Sequence, residues 1–167
     1  MSAGSNIHWA RVANDWTRTM LVLGRSNMPL SILQSAGTSV VNNVIQRWNT
    51  GNEDVNTLSG ILRVANYAEN VAKTGNCREH AAVAFAYLYN QGVSPIEYVS
   101  YASPGNHSFV VIGRASANPI NFDPRTLDSA VAVCDPWDGR AISASQIPSS
   151  MYSGWENGFE VYYRHGG

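Results

Sequence analysis

At Pro95 this chain changes its period, and that change constrains the fold more than anything else in it. Before it, apolar residues recur at helical spacing. The runs are Ile7, Trp9, Val12, Trp16, Met20 and Leu23; then Leu30, Leu33, Val40, Val41, Val44, Ile45 and Trp48; then Val55, Leu58, Ile61, Leu62, Val64, Ala65 and Ala68. Pro29 suits a helix start, and Asn49-Thr-Gly-Asn52 is a turn. Thr74-Gly-Asn76 breaks the pattern, and a further helix is expected from Cys77 to about Tyr89, with Gly92 as its cap.

After Pro95 the residues alternate. Ile96–Tyr101, His107–Gly113, Ala130–Cys134 and Gly158–Tyr163 read as strands, separated by the turn Ser103-Pro-Gly-Asn106 and a loop holding Asn118-Pro119 and Asp123-Pro124. Helices first and a strand meander after them predict an α+β fold, with N-terminal helices packed on a C-terminal antiparallel sheet. The 167 residues suit one domain, 1–167, large enough to bury a core without staples.

The charge balance excludes several classes of function. Net charge is −1 and no Lys or Arg cluster stands out, so no nucleic-acid partner is expected. No apolar stretch is long enough for a membrane span. Met20–Leu23 is too short and too far in for a signal-peptide core, so no cleavable signal is expected. The two cysteines, Cys77 and Cys134, do not make a disulfide framework and are read as free thiols with different jobs.

Cys77 follows Gly75-Asn76 and opens a helix, where unpaired N–H groups and the helix dipole favour a thiolate and an oxyanion beside it. His107 begins one strand and Asp135 ends another. If those strands are neighbours, His and Asp stand side by side facing the helix start, as nucleophile, base and orienting acid require. Asp123 is a second candidate acid; the apolar run leading into Asp135 favours Asp135. Cys134 alternates to the opposite face from Asp135 and reads as core. His80, one turn after Cys77, has no second Cys/His pair, so no metal is expected and packing is its assigned role. Glu79 offsets the dipole in the first turn. Trp137 is placed beside the acid as a water shield. Trp9, Trp16, Trp48 and Trp155 are read as core or surface anchors. His8 and His165 carry no signal.

Three blocks, Gly75-Asn-Cys-Arg-Glu-His-Ala81, Asn106-His-Ser-Phe-Val-Val-Ile-Gly113 and Val133-Cys-Asp-Pro-Trp137, together resemble the papain/transglutaminase-like enzymes. More narrowly they resemble the glutamine deamidases among bacterial toxins and secreted effectors. Arg78 stands where many relatives carry a small residue, and the acid follows the His at a longer distance than in some. The resemblance implies a papain-like fold and a Cys77–His107–Asp135 triad that works without a cofactor. It implies hydrolysis of a Gln or Asn side-chain amide in a host or target protein, reached through a specialised bacterial secretion system, with a role in virulence. It also implies a second oxyanion donor beside the nucleophile's own N–H, for which Asn70, Asn76, Asn106 and Gln146 are the candidates. A cysteine protease or peptidoglycan amidase, a transglutaminase, and an inactive binding relative stay open as alternatives.

Overall fold

The computed structural model describes residues 1–25, 37–101, 106–115, 120–151 and 158–167. The expected helix start at Pro29, Leu30 and Leu33, the centre of the turn at Ser103-Pro-Gly105, Asn118-Pro119 and Trp155 lie outside the described residues.

Helix α1 spans Ala3–Met20, with the Ser2 hydroxyl accepting the Ser5 N–H as its cap. Its buried face is not the large apolar stripe that the spacing suggests. Asn6, Ala10, Ala13, Asn14 and Thr17 are buried, while Trp16 is exposed. Close approach explains the difference, because α1 crosses the sheet with small residues inward. The Cys134 thiol meets the Ala10 carbonyl at 3.3 Å, and the Asn6 amide donates to the Ala130 carbonyl at 2.8 Å. Trp16 instead stacks on Tyr87 and donates its indole N–H to Glu69.

Helix α2 spans Thr38–Thr50 and α3 spans Leu58–Tyr67, the latter capped by the Thr57 hydroxyl and continued by a π-helical turn at Ala68–Ala72. Helix α4, Cys77–Asn90, is buried along nearly its whole circumference, as its run of alanines around Phe85 and Leu88 permits. It ends where Gly92, at φ +71°, and Val93 return their N–H groups to the carbonyls of Tyr89 and Leu88.

The strands are β1 Ile96–Tyr101, β2 His107–Ile112, β3 Asn121–Phe122, β4 Ala132–Asp135, β5 Arg140–Ser143 and β6 Phe159–His165. They form one six-stranded sheet in the order β3-β6-β1-β2-β4-β5, with every neighbouring pair antiparallel. The fold is therefore α+β, with helices against one face of an antiparallel sheet. Tyr98, Val110, Ile112 and Cys134 share the core with the helices. Val99, Phe109, Val111, Val133 and Phe159 form a second cluster on the other face. No helix among the described residues is long and apolar enough to cross a membrane.

Candidate active site

The turn that delivers Cys77 is built tightly. A Cβ on Gly75 would sit 2.3 Å from the Glu79 Cβ, so glycine is required there by packing. Asn76 is the N-cap of α4, in extended backbone, and it forms a reciprocal capping box with Glu79. The Asn76 side chain accepts the Glu79 N–H, and the Glu79 carboxylate accepts the Asn76 N–H at 2.9 Å. That fully buried carboxylate also meets Arg47 at 3.3 Å and Arg78 at 3.4 Å. Glu79 is thus more than a counter-charge to the dipole, because it ties α2, the turn and α4 together. Arg78 donates to the carbonyls of Thr50 and Glu53 at 2.9 Å each. Arg78 thus has a structural task of its own.

Cys77 is the first residue of α4 and keeps 8% of its surface exposed. Its thiol lies 3.5 Å from the Asn106 carbonyl, one residue before β2. At the first helical position its N–H has no intrahelical acceptor, and it stands ready as an oxyanion donor.

His107 and Asp135 come from adjacent strands, β2 and β4. Val110 faces Cys134 in their register. One step further along, Asp135 faces Phe109, and His107 lies two residues beyond on the same side. This diagonal placement lets the two side chains meet. Asp135 Oδ2 lies 2.6 Å from His107 Nε2, and both residues are buried. Asp135 Oδ1 accepts the Asp138 N–H, which fixes the carboxylate to the following turn.

The His107 ring is packed edge-on against Trp137, with centroids 5.7 Å apart, and against Phe159, and lies tilted on Phe109. With Nε2 on the acid, the nitrogen left for the Cys77 thiol is Nδ1. Burial pulls the imidazole pKa down. The Asp135 charge, its hydrogen bond and Cys77 outweigh that pull and raise it to about 10. A protonated imidazole held between carboxylate and sulfur is the partner that a nucleophilic thiolate needs.

The other residues that sequence singled out lie elsewhere or are engaged. Asn70 is exposed on the π-helical turn and its amide bonds Asn66. Asn76 is at the site, but its side chain caps α4. Gln146 is exposed and caps a short 3-10 turn through the Ser143 N–H. Asn106 contributes its backbone carbonyl. Asp123 is clasped by Arg125, whose hydrogen bond pulls its pKa down, and Asp135 is the acid on His107. Cys134 is fully buried, and burial pushes its thiol pKa up.

His80 is buried with Nδ1 2.8 Å from the Asn76 carbonyl, and burial lowers its pKa to about 4. No cluster of three or more His, Cys, Asp or Glu able to hold a metal occurs among the described residues. Sequence reasoning missed Arg25, which donates to the Trp137 carbonyl at 2.9 Å and covers its ring. A contact across more than a hundred residues leaves no local signal. No protein-family model matches this sequence, and no curated protein matches it.

Proposed function

We propose that this chain is a papain/transglutaminase-like cysteine hydrolase that deamidates a Gln or Asn side chain in a target protein. The observation that carries the reading is the 2.6 Å contact of Asp135 with His107 Nε2, which leaves Nδ1 to the thiol of a cysteine at a helix start. The helix-borne cysteine against His and acid on neighbouring antiparallel strands supports a papain-like fold.

In this mechanism the Cys77 sulfur attacks the carboxamide carbon, with its proton on His107. The tetrahedral oxyanion takes the Cys77 N–H at the positive end of α4. Collapse breaks the carbon–nitrogen bond, and His107 gives its proton to the departing nitrogen, so ammonia leaves a thioester. Water then attacks. His107 accepts a proton from it, the carbon–sulfur bond breaks, and a carboxylic acid and the thiol are restored. Asp135 orients the ring and stabilises its charged form throughout. The product carries a new carboxylate, a charge change able to switch a target. We place the chain with the secreted deamidases of bacteria that act on a host or neighbouring cell.

Incubating the protein with candidate target proteins and reading their intact masses tests this. Deamidation exchanges an amide nitrogen for oxygen and leaves the target whole. Cleaved targets would replace the proposal with a protease, and an added amine with a transglutaminase. No change in any target that Cys77→Ala also leaves unchanged would remove the enzyme reading.

A further inference from the structure

A cleft of about 460 Å³ lies beside the site, walled by the end of α1, the segment that follows it, His80 and the Pro136–Gly139 turn. Trp137 belongs to both, lining the cleft and packing its ring against His107. A group held in the cleft is therefore separated from the catalytic imidazole by one side chain.

The cleft is cationic. Arg18 and Arg25 line it, and among the described residues neither meets a carboxylate. Arg25 is held by the Trp137 carbonyl and ring, while Arg18 has no partner among the described residues. The acid in the wall, Asp138, is bound by Arg140. Two positive charges are left facing a concave surface.

His80 adds a second requirement. It is only 3% exposed, yet it lines the cleft. A carbonyl oxygen can only accept, so the Nδ1 that lies 2.8 Å from the Asn76 carbonyl carries the proton. In a neutral ring Nε2 is then a bare acceptor, and no protein donor meets it among the described residues. That acceptor opens on the cleft, where an N–H or O–H of a ligand can meet it. Peptide offers both halves of the match, a backbone N–H for His80 and a side-chain carboxylate for the arginines. A lysine ammonium would meet two like charges.

We propose that this cleft is the subsite for an acidic residue of the target polypeptide, close to the amide that Cys77 attacks. The proposal rests on the reading of the chain as a protein-modifying enzyme and names a class of sequence that it selects.

The test uses the full-length Cys77→Ala protein, with ¹⁵N NMR of the His80 Nε2 as the readout. The probes are the capped tripeptides Glu-Gln-Glu, Gln-Gln-Gln and Lys-Gln-Lys, with inorganic phosphate as an anion that lacks the peptide N–H. Saturable movement of the His80 signal is expected with the acidic peptide. Binding should be weaker by about tenfold with the neutral peptide and undetectable with the lysine peptide, since charge-assisted bonds are lost. Phosphate should leave the Nε2 signal in place. Arg18→Gln should weaken the acidic peptide by about fivefold or more; Arg25 is avoided because it also holds Trp137. Equal binding of acidic and neutral peptides overturns the proposal. So does a His80 signal that no peptide moves, or equal affinity in Arg18→Gln. Should Cys77→Ala not fold, the same titration is run on the unmodified protein. Iodoacetamide labelling of the native chain separates the two readings. An activated Cys77 without acidic-peptide binding sinks only the subsite, whereas an inert Cys77 with selective binding sinks only the enzyme.

Discussion

Asp135 holds His107 by Nε2, at 2.6 Å, so Nδ1 is the ring nitrogen that can serve Cys77. The acid thereby decides which nitrogen serves the thiol as well as how the ring is turned. Asp135→Asn keeps the shape but not the charge. The loss should bring the His107 pKa down from about 10 toward the ordinary imidazole value, because the Asp135 charge is a main cause of the rise. An NMR titration of the His107 ring reads this directly. Turnover should fall by roughly a hundredfold or more. An unmoved titration would show that the carboxylate does not govern the ring.

Replacing the nucleophile separates chemistry from folding. Cys77→Ala should lower deamidation by about a thousandfold or more. The thiol sits at a helix start with part of its surface open, so stability should change by no more than about 1 kcal/mol. Urea denaturation beside the intact-mass assay measures both. Activity that survives this substitution would end the cysteine mechanism.

Stability should decline on both sides of neutrality, for opposite reasons. His107 is raised in the folded state, so its contribution is complete below the unfolded pKa near 6.5 and is lost as pH climbs through about 10. His80 is lowered to about 4, mainly by burial, so its contribution is complete above about 6.5 and is lost as pH falls through 4. Chemical denaturation across pH 4–10 should therefore trace a dome. In Asp135→Asn the alkaline shoulder should flatten and the acid shoulder should stay.

These residues show what a single sequence can and cannot disclose. Helix α4 was legible because Gly75-Asn76 stops one pattern just where the alanine-rich run begins. Strands β1 and β2 were legible because Ile96–Tyr101 and His107–Ile112 alternate. Strand β5, Arg140–Ser143, was not, since one Ile among Arg, Ala and Ser makes no pattern and the strand exists by pairing with β4. Which face of α1 is buried has no mark in the apolar spacing, because close packing against the sheet selects Ala10 and Ala13 over Trp16. At the site, the order and context of Cys77, His107 and Asp135 were readable. The partner of Asn70 was not readable, because distance along the chain says nothing about which way an exposed amide turns. The double grip of Arg47 and Arg78 on Glu79 was invisible, since it joins α2 to α4 through space.

Glu79 offers a test of the turn that holds the nucleophile. Glu79→Ala leaves two guanidinium groups without their buried carboxylate and removes half of the capping box. Breaking a buried pair from one side costs about 3–5 kcal/mol. Glu79→Gln keeps an acceptor for the Asn76 N–H and should lose less. Urea midpoints should rank native above Gln above Ala, and deamidation should fall in the same order. A Glu79→Ala protein as stable as the native one would show that the buried carboxylate does not hold the turn.

The two thiols give the sharpest comparison within one molecule. Cys77 faces a protonated His107 at a helix start; Cys134 is fully buried and bonded to the Ala10 carbonyl. Alkylation requires thiolate and access, and Cys134 lacks both, since burial pushes its pKa up. Native protein treated with iodoacetamide should therefore label Cys77 at least about a hundredfold faster, as peptide mapping can show. His107→Ala removes the base and cation beside the sulfur, so Cys77 should label more slowly. Asp135→Asn should impair turnover more than alkylation, because the imidazole stays beside the thiol while its orientation and charge are weakened. Unfolding in urea should erase the difference between the two cysteines, which shows that it comes from the fold and not from local sequence. Equal labelling in the folded protein, or a Cys77 labelling rate indifferent to His107→Ala, would mean that no activated Cys–His pair exists.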